Sequence, residues 1–151
     1  MPKIPWHVKV FAEGELRAYR ENKIELEKLR NDRQDTYYRS RQRTDEPVQG
    51  SHSGDPTYSK VVQLERIEGM VAYLERRISC VDAGLKMCTR EERELLESRY
   101  MEEYEPTDQE TIHSLRYGFR NKYFKIKDAA ILKIAKAFGV YDERWKRGEK
   151  Y

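Results

Sequence analysis

Seven apolar residues, Leu64, Ile67, Val71, Leu74, Ile78, Val81 and Leu85, recur at alternating spacings of three and four. On an α-helix this spacing lines all seven along one seam, and such a seam has to be buried against another helix. Glu65, Arg66, Glu68, Glu75, Arg76 and Arg77 occupy the other faces and keep them in water. The pattern predicts a heptad helix over 57–88 with a helical partner. Two partners satisfy it: the N-terminal stretch of the same chain folded back, or the same helix of a second copy. The stretch 7–43 is helical in character, but its stripe of Val8, Phe11, Leu16, Tyr19, Leu26 and Leu29 is looser than the seam. That contrast favours a homodimer whose dimerisation surface is the seam.

The composition agrees with an all-α, extended design. Hydrophobic residues make up 38% of the 151 and charged residues another 38%, which is little apolar material for a compact globule. Gly50, Gly54 and Pro56 cluster in one place, so 47–56 reads as a linker between an N-terminal helical arm, 1–46, and the heptad helix. Asp55 or Ser53 can cap that helix, and Pro56 suits its first turn. Trp6, behind Pro5, is placed to staple the arm onto another element. No apolar run approaches the ~18 residues of a membrane span, and the N-terminus lacks a signal-peptide core. Two cysteines, Cys80 and Cys88, form no paired motif and suit a reducing cytoplasm.

Charge is unevenly distributed. Residues 1–88 hold 16 basic and 14 acidic side chains, 89–115 hold 3 and 9, and 116–151 hold 11 and 4. A basic end beside an acidic segment points to a polyanionic partner. The 89–140 segment also has a regular order of caps. Thr89 and Glu92 have capping-box spacing and predict a helix to about Tyr104, ended by Pro106. Thr107 and Glu110 repeat the spacing and start a short helix that Tyr117-Gly118 breaks. A longer helix follows, either continuous from Arg120 to Phe138 or restarted at Asp128, with Gly139 as its C-terminal stop. A tail, 141–151, is basic.

Short helix, tight turn and longer helix is the order of a helix-turn-helix, whose last helix enters the DNA major groove. On that last helix Lys122, Lys125, Lys133 and Lys136 share one stripe, with Ala129 between them. Tyr123, Ala130, Ile131, Ile134 and Phe138 lie opposite, and Lys127 falls on this apolar side, which suggests a bend near Asp128. Arg116, Tyr117, Arg120 and Asn121 stand where the turn enters the helix. Arg and Asn pair bidentately with guanine and adenine edges, whereas Lys meets phosphates. The expected DNA-binding set is therefore Arg116, Tyr117, Arg120, Asn121, Lys122, Lys125, Lys127 and Lys133.

The runs SGDPTYSKVVQLERIE, TREERELLESRY and KYFKIKDAAILKIAKAFG resemble the ArpU/RinA-type phage transcriptional regulators over roughly residues 47–140. The resemblance implies a linker and helix ahead of a sigma-factor region-4-like helix-turn-helix. It further implies a phage or prophage activator of late packaging and lysis genes, acting on double-stranded DNA in the bacterial host cytoplasm. Host RNA polymerase is an implied partner, through the acidic stretch Glu91–Glu105. Arg93 and Tyr100 match the family's first domain helix, and Tyr123, Ala130, Ile134 and Phe138 match packing positions of its last. His113 and the turn RYGFRN depart from the family's usual small residue and G-x-S turn.

Other chemistry finds no support in the residues. The linker lacks the lysine of a phosphate-binding loop, since Asp55-Pro56 follows Gly54. His7, His52 and His113 are dispersed, with only a weak His52–Asp55 pairing as a metal candidate. No nucleophile–base signature occurs, so no enzyme and no cofactor is expected. Two other classes remain: a packaging adaptor like a small terminase subunit, and a helical scaffold binding an acidic protein. The adaptor usually carries its DNA-binding helices first, the reverse of the order here.

Overall fold

The computed structural model describes residues 3–42 and 56–142, and every element in it is helical. The helices are α1 (Trp6–Gln42), α2 (Pro56–Met87), α3 (Arg90–Leu96), α4 (Asp108–Ser114) and α5 (Arg120–Ala137), with a π-helical turn, Glu97–Met101, continuing α3. The expected linker and basic tail lie outside the described residues, apart from Pro56, Tyr141 and Asp142. The weak His52–Asp55 pairing lies outside them altogether. No helix among the described residues is long and apolar enough to cross a membrane.

The chain forms two compact units, and both long helices contribute to each. One unit comprises Glu21–Arg76. In it Leu26 and Leu29 of α1 are buried, as are Ile67, Val71 and Leu74 of α2, and Arg30 pairs with Glu75 at 2.9 Å. The other unit comprises Met1–Arg20 and Arg77–Tyr151. Its core joins Val8, Ala12 and Leu16 of α1 to Val81, Leu85 and Cys88, to Leu95, Leu96 and Tyr100, and to Tyr123, Ala130, Ile131, Ile134 and Ala135 of α5. Arg77 reaches Glu15 at 3.0 Å through two nitrogens, and the Tyr19 hydroxyl donates to Asp82.

The heptad seam is covered within the chain itself. Ile67, Val71, Leu74, Ile78, Val81 and Leu85 are all buried without a second copy, and Leu64 is half-buried. The ground for favouring a second copy, a loose stripe on α1, came from reading Phe11 as its second inward position. Ala12 takes that place: it is fully buried while Phe11 is 40% exposed and packs edge-on against Phe138, 5.3 Å between ring centroids. A small residue at 12 is invisible to a search for large apolar side chains, yet it lets a helix approach closely. Trp6, expected to staple the arm onto another element, stands 77% exposed among the described residues.

Caps set the remaining boundaries. Thr89 and Thr107 both accept a hydrogen bond from the backbone N–H three residues on, and Glu110 completes a capping box by accepting from the Thr107 N–H. The first of these helices ends at Met101, three residues before the expected Tyr104, because Glu102 turns extended. Helix α5 is continuous, with no restart at Asp128. It stops at Gly139, where φ is +73° and the Val140 N–H donates to the Ala135 carbonyl, a Schellman closure.

Candidate nucleic-acid interface

Helix α5 is held at its C-terminal two-thirds and left open at its start. Tyr123, Lys127, Ala130, Ile131, Ile134 and Ala135 are buried. Helix α2 meets it at Gly84, where an added Cβ would lie 2.7 Å from the Ile134 Cδ1 and 3.1 Å from its Cα. Backbone approach this close needs glycine. In the same unit Lys9 of α1 lies 3.8 Å from Asp128. By contrast Phe119, Arg120, Asn121, Lys122 and Lys125 are exposed.

The buried Lys127 explains why no bend is needed. Its ammonium reaches both oxygens of Asp108, at 2.9 and 3.2 Å, and lies 5.7 Å from the ring centroids of Tyr100 and Phe124. Asp108 also accepts from Arg99 Nε at 2.9 Å and from the Tyr123 hydroxyl at 2.7 Å. Burial alone would raise the Asp108 carboxyl, but bonds from Lys127, Tyr123 and Arg99 outweigh it and hold it at about 2. Arg99 in turn binds Glu105 at 2.8 Å, as does Arg17. Lys127 is thus a structural cation that joins α5 to the first turn of α4. Its place in the expected DNA-binding set is corrected: with 4% of its surface exposed, its charge does not reach solvent.

Two more of that set are turned inward. Lys133 donates to Glu92 at 2.7 Å, tying α5 to α3. Tyr117 packs edge-on against Tyr123 at 5.6 Å, and its hydroxyl, pushed up to about 12 by burial and by a hydrogen bond to Glu91, faces α3. The other five, Arg116, Arg120, Asn121, Lys122 and Lys125, are exposed on the turn and the first two turns of α5. The Arg120 guanidinium is steadied over the Phe124 ring at 5.3 Å.

The turn between α4 and α5 is five residues, and its key is Arg116. The Tyr117 N–H donates to the Ile112 carbonyl at 3.0 Å and the Arg116 N–H to the His113 carbonyl at 3.2 Å. This is a Schellman closure with arginine, at φ +59°, where glycine is usual. The expected break at Tyr117-Gly118 comes earlier, at Arg116, and Gly118 has no positive φ. Behind the turn a small hollow of about 180 Å³ is lined by Glu91, Glu94, Leu115, Arg116, Tyr117, Gly118 and Lys122.

Sequence reasoning missed two signals. Between Glu110 and Asp128 there is no acidic residue, while Arg116, Arg120, Lys122, Lys125 and Lys127 stand there. Phe119, 78% exposed at the N-cap of α5, was legible as an apolar residue where a capping side chain belongs. Among the described residues no group of three or more His, Cys, Asp or Glu is placed to hold a metal ion. Compared with known proteins, the chain matches no family model, no curated protein and no solved structure.

Proposed function

We propose that the chain binds double-stranded DNA, with α4, its five-residue turn and α5 acting as a helix-turn-helix, and that it regulates transcription in the manner its likeness to phage late-gene regulators implies. One observation carries the reading. The only part of α5 left open is its acid-free start, with Arg116, Arg120, Lys122 and Lys125 around Asn121. A recognition helix uses its N-terminal residues on base edges and needs its other end packed, which is the division of labour here. Arg120 and Asn121 carry the groups for guanine and adenine edges, and Lys122, Lys125 and Arg116 serve phosphates.

The proposed contact with RNA polymerase rests on acidic residues that are exposed: Glu91, Glu94, Glu97, Glu102 and Glu103. Glu92 and Asp108 are instead committed to Lys133 and Lys127.

Fluorescence anisotropy with a random duplex at several salt concentrations tests the proposal. Four exposed cations predict a slope of log affinity against log salt of about −3 to −4. Lys122→Ala with Lys125→Ala reduces the slope by about 2 and weakens all duplexes alike, whereas Asn121→Ala relaxes discrimination between selected sites. Absence of binding to any duplex at low salt overturns the reading.

A further inference from the structure

Helix α5 differs from its two predecessors at its N-cap. Thr89 and Thr107 cap α3 and α4 with side-chain oxygens, while Phe119, with extended backbone at φ −126° and ψ 126°, makes no side-chain cap. A serine or threonine fits that backbone and would satisfy an N–H group of the first turn. The chain carries an aromatic there instead and leaves it 78% exposed, the most exposed large apolar side chain among the described residues. Phe119 therefore forgoes a cap and gains no burial within the chain. Its neighbours along the chain include Arg116, Arg120, Asn121 and Lys122, all exposed, while Glu91 and Glu94 lie on the hollow behind the turn.

An apolar ring inside a cationic collar fits a surface that is anionic outside and apolar at one point within. The DNA major groove has that character at a thymine, whose 5-methyl group projects among phosphate-flanked base edges, and phenylalanine is one of the side chains that contact it. We infer that Phe119 is a specificity-determining residue that packs against the 5-methyl of a thymine next to the bases met by Arg120 and Asn121. This rests on the DNA-binding reading and sharpens it: the bound site contains a preferred thymine whose recognition is apolar. A membrane surface offers no such point contact, and an acidic protein offers no 5-methyl.

The test uses the full chain. Duplexes are selected from random sequence, and each thymine of the bound site is replaced in turn by deoxyuridine, which keeps the pairing and removes one methyl. The wild type is expected to bind about four-fold more weakly at one position, the fold-change equal to the ~0.8 kcal/mol of one buried methyl group. Phe119→Leu keeps part of that difference. Phe119→Ser abolishes it while restoring a cap, so its thermal midpoint rises by about 2–4 °C. A folded Phe119→Ser variant that still distinguishes thymine from deoxyuridine overturns the inference, as does a wild type indifferent to every replacement. In both cases DNA binding itself stands. A wild type that binds no duplex instead overturns the DNA reading and this inference together.

Discussion

Replacing Arg116 by glycine separates what the turn needs from what a polyanion would need. Arg116 is the one non-glycine residue with positive φ among the described residues, at +59°. An L-residue in that region costs ~1–2 kcal/mol, which glycine avoids. Glycine gives back about 0.5–1 kcal/mol through the larger entropy of its unfolded chain. The net expectation for Arg116→Gly is a gain of about 0.5–1 kcal/mol, or roughly 1–3 °C in thermal midpoint for a chain of this size. No buried contact is lost, because the side chain is exposed and only its backbone N–H is used, by the His113 carbonyl. DNA affinity moves the other way: one phosphate contact fewer lowers the salt slope by about 1. Urea denaturation and anisotropy on the same preparation give both numbers, with Arg116→Lys as control, since it keeps the charge and the strained backbone. Loss of stability in Arg116→Gly would refute the argument from the turn. An unchanged salt slope would refute the placement of Arg116 at a phosphate, whatever happens to stability.

Two further perturbations probe the frame that holds α5. Asp108→Asn leaves the Lys127 ammonium buried without its counter-charge and should destabilise the chain by about 3 kcal/mol in urea unfolding. Because the Asp108 carboxyl is held near 2, below its ordinary 3.8, its contribution is full above about pH 4 and is lost as pH falls through about 2. The wild type should therefore lose stability over that window more steeply than Asp108→Asn, and parallel acid titrations by circular dichroism would contradict this. Gly84→Ala should destabilise despite alanine's better helix propensity, because its Cβ meets the Ile134 backbone at 3.1 Å. Gly69→Ala, with nothing within 4 Å, should stabilise by about 0.5–1 kcal/mol, and thermal melts that rank the two variants the other way would sink the packing argument.

Helix ends announced by their usual residues were legible in the sequence. Thr89, Thr107 and Gly139 all act as the spacing predicted, because a cap is a bond between near neighbours. The cover that α1 gives the α2 seam is harder to read for a different reason: small Ala12 lies fully buried on α1, and small residues leave no mark in an apolar pattern. Arg116 hid the left-handed turn because such a turn is normally announced by glycine, and Gly118 drew attention two residues too late. The π-helical turn at Glu97–Met101 had no sequence signature at all. It carries Arg99 into bonding range of Asp108 and Glu105, a match visible only once α4 is in place.

The same distinction bears on the charge asymmetry, which is the broadest argument for a polyanionic partner. An acidic segment followed by a basic one can mean two surfaces, or it can mean two halves of internal ion pairs. Both meanings hold here, in different residues. Glu92 with Lys133, and Asp108 with Lys127, join the acidic segment to α5 and have little or no charge to present outside. Removing Lys127 and Lys133 from the lysine-bearing helix leaves its outward charge concentrated at one end rather than spread along a stripe. In the proposed complex with DNA, a charged tip around Asn121 and Phe119 would bring base-reading groups to the groove edges, which a stripe of lysines along the helix would not. The internal pairs serve that tip, because Lys127 fixes α5 against the first turn of α4 and so sets the angle at which Arg120 and Asn121 emerge from the turn. Salt dependence accordingly should reflect about four cations, not the larger number that the basic segment contains.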